Sequence, residues 1–177
     1  MLRERYESAM TLDAFIERAQ VNQDLWRAMY RRAQAPQDLL GQPALPTTRH
    51  LLVLLENWCG DAVNTIPVVA RYAEAHPQLE LRVLRREENP DLMDAHLSGT
   101  ARAIPVVLVL DENYEELGWW GSRPAELQRW IESAEGQAVE GAERYKAVRR
   151  WYARDRGRSA VREITRLLAP TAAARAA

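Results

Sequence analysis

The chain has 177 residues, 47% of them hydrophobic and 28% charged, with a formal net charge of −1. That balance excludes a collagen-like, low-complexity or wholly disordered chain, and it gives no global electrostatic pull toward nucleic acid. A single cysteine, Cys59, excludes an intrachain disulfide and a multi-cysteine zinc site.

Residues 1–34 read as helical. Thr11 is placed to cap a helix with Leu12, Phe15, Ile16 and Ala19 on one face. Asn22 is placed to cap the next, with Leu25, Trp26, Met29 and Tyr30 on one face. The Pro- and Gly-rich stretch 35–48 predicts a loop. Leu51–Leu55 is a continuous apolar run, as a strand buried on both faces requires. Residues 62–75 carry a helical period through Val63, Ile66, Val69, Ala70 and Ala73. Leu79–Leu84 alternates and predicts a strand. Asn89-Pro90 starts a helix with Leu92, Met93, His96 and Leu97. Pro105–Leu110 is a second buried strand, Asp111–Tyr114 a turn, and Glu115–Trp120 a strand that pairs back. Pro124 opens a helix with Leu127, Trp130 and Ile131 inward. From about 138, Val139, Ala142, Tyr145, Val148 and Tyr152 (or Trp151) share a face, and Gly157 breaks that helix. Val161, Ile164, Leu167 and Leu168 mark a further short helix, and residues 170–177 are expected to fray.

Strands separated by helices run parallel through right-handed crossovers. The last two, joined by a short turn, are antiparallel. The prediction is an α/β fold: a four-stranded mixed sheet between helices, with helical extensions at both ends. The expected division is an N-terminal helical extension over 1–47, an α/β domain over 48–135 and a helical tail over 136–177 packed on it. The longest apolar runs are too short to cross a bilayer, and the charged start lacks the apolar core of a signal peptide. A cytoplasmic protein with no membrane partner is expected.

Chemistry concentrates at Glu56-Asn57-Trp58-Cys59-Gly60-Asp61-Ala62, between a buried strand and a helix. Unpaired N–H groups at a helix start favour negative charge there and lower a thiol pKa. The Asp61 carboxylate opposes that effect, so the net sign stays open. A lone cysteine also has an inert reading, as a small buried residue. Glu56 and Asp61 read as helix-start charges before they read as an acid–base pair. Trp58 is placed to flank the thiol, and of Trp119-Trp120 at least one ring belongs to the core. His50, His76 and His96 lack metal-ligand spacing, so no metal and no bound cofactor are expected. The basic tail, from Arg144 to Arg166, reads as a solvated helix face; an anionic-partner patch is the sharper alternative. No nucleic-acid motif accompanies it.

Trp58-Cys59-Gly60, a proline nine residues after that tryptophan at Pro67, and Arg102-Ala103-Ile104-Pro105 together resemble the thioredoxin superfamily over residues 48–135. The Trp-Cys-Gly-Asp-Ala form with helical additions looks like a group of bacterial thioredoxin-like proteins. The resemblance implies a thioredoxin-like fold, a kinked active-site helix and a cis Ile104–Pro105 peptide beside Cys59. It also implies that the Ile104 backbone pairs with an extended substrate, with Gly60 permitting close approach. Two departures change the chemistry. Ala62 stands where thioredoxins carry the second cysteine, and Val53 where they bury an aspartate. A dithiol reductase is therefore not expected. Cys59 can form a mixed disulfide, but an outside thiol such as glutathione must resolve it. The Cys-Gly-Phe-Ser string of monothiol glutaredoxins is absent, so no iron–sulfur cluster is expected.

Two functions follow. The first is a monothiol thiol–disulfide oxidoreductase with Cys59 as nucleophile. Trp58, Gly60, Asp61, Ile104 and Pro105 would form its substrate site, and a disulfide- or thiol-bearing protein or a small thiol would be its partner. The second is a non-catalytic binding module for a peptide, a protein or a second copy in a homodimer.

Overall fold

Seven consecutive residues of β1 (Arg49–Leu55) are buried, which requires apolar neighbours on both faces. β1 pairs in parallel with β2 (Leu79–Arg85) and antiparallel with β3 (Val106–Leu110). β3 pairs antiparallel with β4 (Glu116–Gly121), giving the order β2-β1-β3-β4. This is the expected four-stranded mixed sheet flanked by helices, but one strand direction differs from expectation: β3 follows β2 across a helix and yet runs antiparallel to β1, because that helix, Pro90–Asp94, has only five residues and is too short for a parallel crossover. The computed structural model describes residues 1–41 and 45–168. The expected fraying of 170–177 lies outside them, as does part of the 35–48 loop.

The N-terminal segment forms α1 (Leu2–Ser8), α2 (Leu12–Arg18), α3 (Gln23–Arg32) and α4 (Gln37–Leu40). The turn at α4 was not legible in the Pro-rich stretch. Thr11 caps α2 as expected, its side chain accepting from the Ala14 N–H at 3.2 Å. Asn22 precedes α3 but does not cap it; its side-chain amide donates to the Asn57 carbonyl at 3.3 Å. Between α1 and α2, Met10 exchanges two backbone hydrogen bonds with Val83, of 3.0 and 2.8 Å. That bridge covers part of the free edge of β2, which would otherwise offer unpaired backbone groups.

The central helix α5 (Gly60–Glu74) buries Val63, Ile66, Val69, Ala70 and Ala73, with Pro67 inside it. It can be apolar over so much of its surface because β2, α3 and a C-terminal helix all pack on it. After β2 a single 3₁₀ turn leads to α6 (Pro90–Asp94). Asn89 sits at the cap position of α6 without capping it; its side chain bonds Arg5 and the Arg85 carbonyl instead. In the β3–β4 turn, Asp111 Oδ1 accepts from the Asn113 and Glu115 N–H groups at 2.8 and 2.9 Å.

Beyond β4 lie α7 (Ala125–Glu132), α8 (Ala134–Ala138), α9 (Gly141–Asp155) and α10 (Arg158–Leu168). Leu127 of α7 is fully buried, but Trp130 and Ile131 are half-exposed and α7 packs chiefly on α8. The helix that covers β3, β4 and α5 is α10, through Ala160, Val161, Ile164 and Leu168. The chain reverses between α9 and α10 at Arg156 and Gly157, both at positive φ. The buried residues of α1–α3, the sheet, α5 and α10 form one continuous core.

Candidate functional site

Cys59 occupies the N-cap of α5, where the buried strand β1 hands over to the helix. Its Sγ accepts from the Ala62 N–H at 3.4 Å and donates to the Ile104 carbonyl at 3.4 Å. The Ile104–Pro105 peptide is cis. The structure thus brings Cys59, Ile104 and Pro105 together. Cys59 is only 7% exposed and Ile104 5%.

Burial pushes the Cys59 thiol above its ordinary pKa. The Ala62 N–H opposes this, as does the more distant Arg123, while the Asp61 carboxylate adds to it. The sign left open by the sequence is therefore upward. Desolvation outweighs the helix start, and the thiol proton has a use in the bond to Ile104.

Trp58 is 49% exposed, with the Arg86 guanidinium 5.0 Å from its ring centre. It stands beside the thiol in sequence without burying its own ring. Glu56 is fully buried and points elsewhere, accepting from Arg85 at 3.2–3.3 Å and from the Glu87 N–H at 3.0 Å. Asp61 pairs with Arg123 at 2.6 Å and accepts from the Tyr152 hydroxyl at 2.8 Å. Burial and the Asp61 charge raise the Tyr152 pKa far enough to keep it the donor. The two carboxylates thus serve different cations and form no acid–base pair.

Sequence reasoning missed three groups around this loop. Trp26, fully buried, donates its indole N–H to the Asn57 carbonyl at 2.9 Å. The N-terminal helices therefore hold the segment that carries Trp58 and Cys59. Arg123 and Tyr152 reach Asp61 from the far end of the chain. The apolar pattern marked Tyr152 as inward-facing, but nothing local marked its partner. The histidines lie apart from this loop and pack within the fold: His50 stacks on Tyr114 with ring centres 4.3 Å apart, His76 bonds the Tyr72 carbonyl, and His96 bonds the Leu92 carbonyl and Glu116. Trp120 is core, with its indole N–H on Glu163 at 2.6 Å.

A cleft of about 400 Å³ opens beside this loop. Trp58, Gly60 and Asp61 form one wall, and α9 forms the other with Arg144, Tyr145 and Val148. The Tyr145 hydroxyl lies 3.4 Å from where a Cβ on Gly60 would stand, so the α9 wall closes directly on the start of α5.

A cysteine capping the helix after the first central strand, against the carbonyl before a cis-proline, defines a thioredoxin-fold site. The thioredoxin family profile matches residues 9–136, most of the chain, and the protein belongs to that family. No curated protein matches it significantly. Among solved structures it is similar to an HIV epitope-scaffold, with a TM-score of 0.71 and 20% identity over 94% of this chain and 96% of that one. It is also similar to a protein of unknown function from Pseudomonas aeruginosa, with a TM-score of 0.69 and 20% identity over 94% and 95% of the two chains. At that identity the likeness concerns the fold alone.

Proposed function

We propose that the protein is a monothiol thiol–disulfide exchange protein acting through Cys59. The observation that carries this reading is the Cys59 Sγ at the α5 N-cap, set between the Ala62 N–H and the Ile104 carbonyl. The Cys59 thiolate attacks a disulfide R–S–S–R, forming Cys59–S–S–R and releasing one RS⁻. Ala62 offers no second thiol, so an external thiol R′SH attacks the adduct. It leaves R–S–S–R′ and returns the Cys59 thiol. The Ala62 N–H steadies the transient thiolate. The Ile104 backbone pairs with an extended substrate, and Trp58, Gly60, Asp61 and Pro105 form its walls. The partner is a disulfide- or thiol-bearing protein or a small thiol, and a reducing compartment such as the cytoplasm supplies the resolving thiol.

We further propose that residues 48–135 carry the exchange site, while 1–47 and 136–177 brace it. Trp26 and Tyr152, one from each extension, reach the active loop and support that division. Intact-mass analysis after treatment with an aromatic disulfide tests the reading. One adduct per chain, removed by added glutathione and absent in Cys59→Ser, is expected. A folded chain that gains no adduct contradicts it.

The second reading, a non-catalytic module that binds a peptide, a protein or a second copy, draws on the 7% exposure of Cys59. Its self-association form predicts a dimer by solution mass, and a monomer at every concentration removes that form.

A further inference from the structure

The lining of the cleft beside α5 carries an excess of positive charge. Three guanidinium groups line it, Arg123, Arg144 and Arg149, against one carboxylate, Asp61. Asp61 is committed to Arg123 at 2.6 Å. Among the described residues, Arg144 and Arg149 form no ion pair. Glu143, next to Arg144 in sequence, pairs instead with Lys146 at 2.7 Å.

Arg144 is nonetheless held, and Arg149 is exposed against an aromatic ring. Arg144 is half-buried and donates to the Ile131 carbonyl at 3.1 Å. Arg149 lies over the Tyr145 ring, 4.9 Å from its centre. A side chain already held, as Arg144 is, loses less entropy when a ligand binds. The remaining walls, Trp58, Tyr145 and Val148, supply apolar surface. The volume, about 400 Å³, lies in the range of small-molecule sites.

We propose that this cleft binds a small free organic acid with an apolar body. Its carboxylate is drawn to Arg144 and Arg149, and its body lies against Trp58, Tyr145 and Val148. Guanidinium groups match carboxylates in charge and in hydrogen-bond geometry. The basic tail thus does two things. Part of it is solvated or paired within the fold, as in the 2.7 Å Arg158–Asp38 bridge, and part faces this cleft. The proposal stands independently of thiol exchange, because its probe carries no sulfur.

Calorimetric titration with 4-phenylbutyrate and with its neutral amide, 4-phenylbutyramide, tests it. The acid is expected to bind at least about tenfold tighter than the amide, a 1.4 kcal/mol difference. Arg144→Gln with Arg149→Gln is expected to weaken acid binding by a similar factor of about ten. Arg150→Gln with Arg154→Gln, on a different face of α9, is expected to leave it within about twofold. Equal binding of acid and amide by the native protein, or no binding of the acid, overturns the proposal without recourse to any variant. Undiminished binding in the Arg144 and Arg149 variant overturns the assignment of the cations. A Gly-Phe dipeptide that binds tighter than the acid overturns the choice of a free acid over a peptide end.

Discussion

At the scale of single residues, the tension lies between Cys59 and Asp61. The helix start favours a thiolate, but burial and the neighbouring carboxylate favour the thiol. A thiol in water has a pKa of about 8.5, and Cys59 titrates above its ordinary range. Alkylation at neutral pH is therefore expected to be slower than that of a free thiol, with its inflection at higher pH. Asp61→Asn removes a charge that opposes the thiolate and frees Arg123 to favour it. That variant is expected to alkylate faster than the native chain at the same pH. An unchanged or slower rate would show that Asp61 does not act on the thiol. The residues on the cysteine side of the site were legible because they are contiguous or sit at fixed offsets: Trp58, Cys59, Gly60, Ile104 and Pro105. The partners of Asp61 were not, since Arg123 and Tyr152 are brought to it by tertiary packing that no local spacing records.

At the scale of elements, the strands and α5 were legible because their periodicities are clean and their lengths match one element each. The C-terminal helices were harder. Leu127, Trp130 and Ile131 promised an inward face, yet the helix that covers the sheet is α10, some thirty residues later. Both segments are amphipathic, and pattern alone cannot choose between them. Gly157 lets α10 turn back onto the sheet: it sits at φ +74, and a Cβ there would fall 2.6 Å from Val68 Cβ. Gly157→Ala is expected to destabilise the fold by about 1–3 kcal/mol, through positive φ and overpacking together. Denaturant unfolding checks this, and unchanged stability would contradict the packing of α10 on α5. Thr11→Ala removes a formed cap and is expected to cost about 1 kcal/mol by the same measurement.

At the scale of the whole molecule, extensions and sheet share one core, so pH effects at distant sites act on a common stability. Burial lowers the His50 pKa, so the folded state binds fewer protons there than the unfolded chain. Its contribution is present above about pH 6.5 and is lost as pH falls through the folded value. Cys59 acts in the opposite sense. Its raised pKa gives stability that is present below about pH 8.5 and is lost as pH rises through the folded value. The denaturation midpoint is therefore expected to be greatest between about pH 6.5 and 8.5. Cys59→Ala is expected to flatten the alkaline limb, and His50→Gln the acidic one. Limbs that persist in these variants would assign the pH dependence to other groups.

Thiol–disulfide exchange requires Cys59 to react in the folded state, despite its low exposure. The most direct measurement is the rate of Cys59 labelling by an aromatic disulfide across low denaturant concentrations, below the unfolding transition. Exchange through the native site or a small local opening predicts a rate nearly independent of denaturant. A rate that climbs with the denaturant dependence of global unfolding would show that the thiol reacts only in the unfolded chain. It would make Cys59 a packing residue and remove the thiol–disulfide reading.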